Sequence, residues 1–299
     1  PFSNSDEEMH SIKILMNIYL KKTLDCMLFS NVFIAMCAVI QGLVTYRLLH
    51  LEPEKHVLGI LFCATLALYN FSILLAKPRK PEDSSCKRVK WIFSHHRFMI
   101  TLTLVAILSL VALFFFLSLS AAALLVSLAL ISVAYNVPMV YFQNKWLRLR
   151  QIPGAKLFLI ALVWSLSCVL LPILELNTRA DISWFNTGVL VAMEFFFIAA
   201  ITIPFDIRDF FQDKRDALHT LPTMLGAHKS KQIAYIFLGL YLLLLVLLGA
   251  DAYAREIFIA LVLSTVLAAW LIKRANAQKS EYFYFLLLDG TMLVGVMVL

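Results

Sequence analysis

The sequence predicts an all-α membrane protein of about nine transmembrane helices. Three observations carry that prediction: an apolar composition, a series of apolar runs of membrane-crossing length, and a one-sided distribution of cations. Of the 299 residues 61% are hydrophobic and only 15% charged, with a mean hydropathy of +0.83. Soluble domains average roughly half apolar and a quarter charged, so this chain belongs in a bilayer. A span needs about 20 apolar residues to cross about 30 Å of hydrocarbon. Runs between charged punctuation place nine of them, at about 28–46, 57–76, 98–117, 119–139, 157–174, 183–203, 232–250, 255–272 and 282–299. Cytoplasmic loops carry the Lys/Arg excess. With the amino terminus in the cytosol, only Arg47, Lys55, Arg179 and Arg255 of the 26 cations fall outside. The predicted protein is therefore integral and multi-pass, with a cytosolic amino terminus and a carboxyl terminus on the outer side. The net charge of +7 is a topological signal. A nucleic-acid partner is excluded, because no basic soluble face remains to bind one.

Residues 1–26 read as an amphipathic helix in the inner interface. Asp6, Glu7 and Glu8 stand where a signal peptide is basic. Ser5 and Glu8 fit a capping box, and Ile12, Leu15, Met16, Tyr19 and Leu20 recur at helical spacing beside Lys13, Lys21 and Lys22. Residues 27–299 then form a single nine-helix domain. Near the inner end of the second span Asn70 is polar among apolar neighbours, placed for an interhelical hydrogen bond or for a ligand. Loop 77–97 carries Lys77, Arg79, Lys80, Lys87, Arg88, Lys90 and Arg97 around Glu82 and Asp83, which are adjacent and so share no helical face. Lys145, Arg148, Arg150 and Lys156 follow the fourth span. The Phe run 195–197 suits an isoprenoid tunnel, although such runs more often pack helices. Glu194 and Asp289 are ionisable groups inside spans six and nine, which face a cavity or a partner by default. Cys26, Cys37, Cys63, Cys86 and Cys168 form no CxxC pair and read as small core residues.

The inner end of span six leads into loop 204–231, where Asp206, Asp209 and Asp213 are spaced to share one helical face. Carboxylates that close repel one another unless a cation lies between them. Mg2+ takes carboxylate oxygens together with substrate phosphates, so the run reads as a metal-diphosphate clamp at a membrane face. The alternative is a solvated helix end with Arg208, Lys214 and Arg215 as ion-pair partners.

The order Asp206-x-x-Asp209-x-x-x-Asp213, followed by Thr220-Leu221-Pro222 and Leu225-Gly226, resembles the second aspartate-rich motif of the UbiA superfamily of intramembrane prenyltransferases. Tyr282-Phe-Tyr284 through Leu288-Asp289-Gly290, and Tyr135-Asn-Val-Pro138 with Lys145, are similar to further family segments, and the likeness covers nearly the whole chain. The resemblance implies helices around a central, inward-opening cavity capped by loops 77–97 and 204–231. It further implies Mg2+ on Asp206, Asp209 and Asp213, with Asp209 and Asp213 at the catalytic centre. A polyprenyl diphosphate is held by Asn70, Lys77, Arg79, Lys145, Arg208 and Lys214, and its chain is transferred to a membrane acceptor. The family's first motif, Asn-Asp-x-x-Asp, is missing: the chain has Asn70-Phe71-Ser72-Ile73-Leu74, with Pro78 near the third acidic position.

That departure keeps a second function class open. Ionising an allylic diphosphate requires the leaving group's charge to be stabilised by metal or by Lys and Arg. With one carboxylate cluster in place of two, the alternative is a catalytically weakened pseudoenzyme that serves as a lipid-binding subunit beside a membrane-protein partner. Solute transport would need paired intramembrane charges or broken helices in matching halves, and Glu194 with Asp289 supply neither.

Overall fold

A backbone immersed in hydrocarbon has to satisfy its own polar groups, so apolar runs become helices. In the computed structural model, which describes residues 19–76, 82, 86–142, 145–176, 183–248 and 255–298, that is what the chain does. The helices are α1 (Tyr19–Phe29), α2 (Val32–Leu48), α3 (Lys55–Leu75), α4 (Lys87–Ser94), α5 (His96–Phe114), α6 (Leu119–Asn136), α7 (Ala155–Ser165), α8 (Leu171–Leu176), α9 (Trp184–Arg208), α10 (Phe210–Arg215), α11 (Leu221–Leu247) and α12 (Arg255–Arg274). Helices α3, α5, α6, α7 with α8, α9, α11 and α12 are long and apolar enough to cross a membrane, which makes seven spans among the described residues. Helices α1 and α2 form an eighth, bent by 64°. The ninth expected run is the shorter apolar segment Phe283–Gly295, a π turn (Phe283–Leu288) continued as a 3-10 helix from Asp289. Of the interfacial helix expected over 1–26, residues 1–18 lie outside the described residues.

Three local features position the functional end of the bundle. Asn31, between α1 and α2, is left-handed at φ 66°, a conformation that Asn tolerates better than most non-glycine residues. It makes the bend. Helix α9 runs past Pro204 to Arg208, and α10 follows after Asp209 with the hydrogen bonds Asp209 N–H to Phe205 O and Asp213 N–H to Asp209 O. The three aspartates therefore stay on nearly one helical path. Thr220 caps α11, its N–H donating to Thr223 Oγ1 at 2.8 Å, with Pro222 in the first turn where no backbone donor is needed. At Gly226 the helix is broken by φ 80° and ψ 162°.

The sequence reading did not foresee the hairpin β1 (Val140–Phe142) to β2 (Lys145–Leu147), paired antiparallel with Tyr141 opposite Trp146. Three-residue strands leave no periodic signature. Between α7 and α8 the residues Leu166–Leu170 form a π turn, and the Cys168 carbonyl there accepts a hydrogen bond from Thr45 Oγ1 of α2 at 2.9 Å. Helix α9 is the most buried span, packed on α7 and α11, while α5 and α6 are the least buried. The Phe run packs helices: Phe195 meets Phe158 of α7, and Phe196 and Phe197 meet Phe237 and Tyr241 of α11. None of the five cysteines forms a disulfide; Cys37 and Cys168 are buried in the packing, Cys26 and Cys63 are partly buried, and Cys86 is exposed, contrary to the core role expected of it. At the opposite end of the bundle Glu175 of α8 accepts the Ser118 N–H at the start of α6 (2.8 Å) and pairs with His56 of α3 (3.0 Å).

Candidate functional site

A cavity of about 210 Å³ lies at the end of the bundle where α9 passes into α10. It is lined by apolar side chains, Ile34, Ile160, Ile198, Ile201, Phe205 and Met292 among them, and by the charged Arg88, Lys156, Arg208, Asp206, Asp209 and Asp289. A cavity lined by both apolar and charged side chains suits an amphiphile with a charged head. Two neighbouring cavities, of about 370 Å³ and 470 Å³, share Asp209 and Arg150. The larger is also lined by Arg148, Lys156 and Asp213.

Each charge in the mouth has an identifiable support. Lys156 is the second residue of α7, whose start is tied by the Gly154 N–H to the His219 carbonyl at 3.1 Å. From there its ammonium reaches both Asp206 Oδ1 at 2.8 Å and Asp213 Oδ2 at 3.1 Å. Asp206 and Asp213 are 1% and 4% exposed. One nitrogen thus bridges two buried carboxylates two helical turns apart. Arg208 folds back on its neighbour, donating from Nε to Asp209 Oδ1 at 2.8 Å and from Nη2 to Asp209 Oδ2 at 3.0 Å, a bidentate pair. Arg88 of α4 donates from Nη2 to Asn31 Oδ1, and Asn31 Nδ2 donates to Asn70 Oδ1 at 2.7 Å. Both guanidiniums lie over the Phe285 ring, at 4.1 and 4.8 Å from its centroid. Burial, and then the nearby Arg208 charge, pull the Arg88 guanidinium down to about 10. Two hydrogen-bond donors of this pair, Arg88 Nε and Arg208 Nη1, are buried without an acceptor.

The expected site residues separate into groups. Asp206, Asp209 and Arg208 line the cavity, and Asp213 lines its larger neighbour. Asn70 is fully buried but lines none of these cavities; it anchors Asn31 and through it Arg88, while its own Nδ2 is unpaired. Lys214 is exposed and lines none of these cavities. Lys77 and Arg79 lie outside the described residues, as does the side chain of Lys145, whose backbone pairs in the hairpin. Glu194 is buried with Oε1 unpaired and lines none of the three cavities. In the sequence Arg88 is only one cation of a loop and Lys156 only a topological charge. Asn31 belongs to no motif, although an asparagine interrupting two apolar runs is a sequence signal for a left-handed residue.

Three aspartates facing a common ion is not the arrangement found. Asp206 and Asp213 are bridged by Lys156 and Asp209 is engaged by Arg208, and among the described residues no three of His, Cys, Asp and Glu are grouped to hold a metal. As placed, each carboxylate has a cation in contact and the three form no cluster for a divalent ion, while both Asp206 oxygens are buried without a hydrogen bond.

Comparison with known proteins is consistent with this architecture. A family model described as the UbiA prenyltransferase family matches residues 92–288. No curated protein sequence matches significantly. Among solved structures, a UbiA homolog from Archaeoglobus fulgidus bound to GPP and Mg2+ superposes with a TM-score of 0.65 at 12% identity, covering 92% of this chain and 99% of that one. The same homolog bound to DMAPP and Mg2+ gives 0.63 at 14% identity with coverage of 92% and 99%. The apo structure of a UbiA homolog from Aeropyrum pernix K1 gives 0.58 at 14% identity, covering 89% and 96%. At such identities the likeness is one of fold.

Proposed function

Since the chain belongs to the UbiA prenyltransferase family, we propose that it binds an isoprenoid diphosphate in the 210 Å³ cavity, phosphates at the Arg88, Arg208 and Lys156 end and the chain along the apolar wall. The observation that carries this reading is the pair of buried guanidinium donors without acceptors, Arg88 Nε and Arg208 Nη1. A buried donor left unsatisfied costs about 1–3 kcal/mol, more when charged. Diphosphate oxygens are acceptors of the right charge and spacing for two guanidiniums. In this reading Arg88 and Arg208 hold the leaving group and spread its charge as the allylic C–O bond breaks. Ile198, Ile201, Phe205 and Met292 keep water from the developing carbocation, and the acceptor attacks the allylic carbon from the membrane. The bound end faces the cytosol, as the cation excess requires. In this reading residues 27–299 act as one domain; most of the interfacial segment expected over 1–26 lies outside the described residues.

A second reading, a lipid-binding or membrane-complex subunit with weakened chemistry, is favoured by one observation. Where the family pattern places Asn-Asp-x-x-Asp the chain keeps only Asn70, and that residue is committed to Asn31. Purified protein titrated with geranylgeranyl diphosphate tests the common part. Arg88→Ala and Arg208→Ala are each expected to weaken binding about 10- to 100-fold, the equivalent of about 1.5–3 kcal/mol for a charged hydrogen bond; unchanged affinity in both refutes the site. Labelled geranylgeranyl diphosphate incubated with membrane extract then separates the readings, since transfer supports the enzyme and binding without turnover supports the subunit.

A further inference from the structure

The place of a divalent ion at an acidic helix end is between the carboxylates, and here that place holds an ammonium. Lys156 Nζ lies 2.8 Å from Asp206 Oδ1 and 3.1 Å from Asp213 Oδ2. Helix preference does not explain its position, because the first turn of a helix disfavours cations. The two carboxylates it bridges do. They are almost wholly buried, and a buried pair of like charges without a counter-ion costs several kcal/mol per charge. Asp209, the remaining member of the cluster, is held bidentately by Arg208. From α3 the cavity is lined by Tyr69; Asn70 beside it lies off the cavity and offers no charge, and its network runs through Asn31 to a guanidinium.

We propose that Lys156 is the resident counter-cation of the acidic helix, and that with Arg88 and Arg208 it lets the chain capture a diphosphate without a divalent metal. This rests on the reading of the cavity as a diphosphate site. An ammonium tethered to α7 is present at full occupancy whatever the free metal concentration. It offsets one of the two charges of Asp206 and Asp213 and so lowers their repulsion of the incoming anion, and the two guanidiniums supply the direct phosphate contacts that metal ions supply when a site has carboxylates to hold them. For Mg2+ to enter, Lys156 has to leave two buried carboxylates, and the ion gains at most the aspartates of a single helix end in return. Mg2+ demands near-octahedral oxygen coordination and gives up its water reluctantly, so the exchange is unfavourable.

The test is calorimetry and thermal unfolding of the purified protein with geranylgeranyl diphosphate, in EDTA and in excess Mg2+, for the native chain and for Lys156→Met, which keeps the stem and removes the charge. The native chain is expected to bind with a Kd that changes less than about threefold between the two conditions, and Mg2+ alone is expected to leave its unfolding midpoint unmoved. Lys156→Met, with Asp206 and Asp213 released, is expected to gain stabilisation by Mg2+ alone and to bind the diphosphate at least tenfold more tightly with Mg2+ than without. Should Lys156→Met not fold, the comparison on the native chain decides by itself. Native binding that requires Mg2+ overturns the proposal while leaving the diphosphate site intact. Absence of binding in both conditions overturns the diphosphate reading, and this proposal with it.

Discussion

Asn31 is the residue on which the functional end turns. Its left-handed backbone bends α1 against α2, and its amide spans Asn70 and Arg88. Replacing it by alanine forces a Cβ-bearing residue without a polar side chain into φ 66° and orphans two buried groups. A loss of about 2–4 kcal/mol is expected as a lowered unfolding midpoint, and Asn31→Gly, which keeps the bend, recovers about 1 kcal/mol of it. Arg208 invites a finer substitution. Arg208→Lys preserves charge but loses the fork on Asp209 and the free Nη1, so diphosphate affinity is expected to fall about tenfold with little change in stability. At this scale the sequence was informative where chemistry is local. The spacing of Asp206, Asp209 and Asp213 is readable from a few consecutive residues, and so is the polarity of Asn70. The cation that bridges two of those aspartates is 57 residues from Asp213 in the chain and belongs to another helix, so no local pattern announces it.

Among the elements, α11 shows how a cap is built from a helix. Gly226 interrupts it at φ 80° and ψ 162°, a conformation reserved almost entirely for glycine. Nothing lies within 4 Å of where a Cβ would stand. Gly226→Ala therefore strains the backbone alone, and a destabilisation of about 1–3 kcal/mol is expected, measurable as a shift of the denaturation midpoint. At the far end, Glu175 ties α3, α6 and α8 together. Glu175→Leu leaves the Ser118 N–H and His56 without their acceptor, so a loss of about 1–3 kcal/mol is expected by the same measurement, largely restored by Gln. The long apolar elements were legible because hydrocarbon thickness fixes their length. The bend at Asn31 and the hairpin over 140–147 were not, since each depends on one or a few residues and on what packs against them.

For the whole molecule, the least buried spans present the apolar side chains expected of a lipid boundary, among them Leu104, Leu108 and Val111 of α5, Leu130 of α6 and Leu243 and Leu247 of α11. The fold class was readable from composition because the bilayer leaves so few alternatives. The cation excess predicts which end faces the cytosol, and Cys86, exposed beside α4, can test it. With Cys86 as the sole remaining cysteine, a membrane-impermeant maleimide is expected to label inside-out vesicles and to spare intact cells; the reverse pattern inverts the topology. The π turn between α7 and α8 bears on how such a molecule is made. Its Cys168 carbonyl is satisfied by a Thr45 hydroxyl 123 positions earlier in the chain, and a polar group stranded in lipid costs several kcal/mol. Ribosomes deliver the amino-terminal partner first, so α2 is already in the membrane when α8 emerges from the translocon. Were the gene cut between them and the carboxyl-terminal half produced alone, that half would enter the bilayer with a defect that only co-expression of the other could mend.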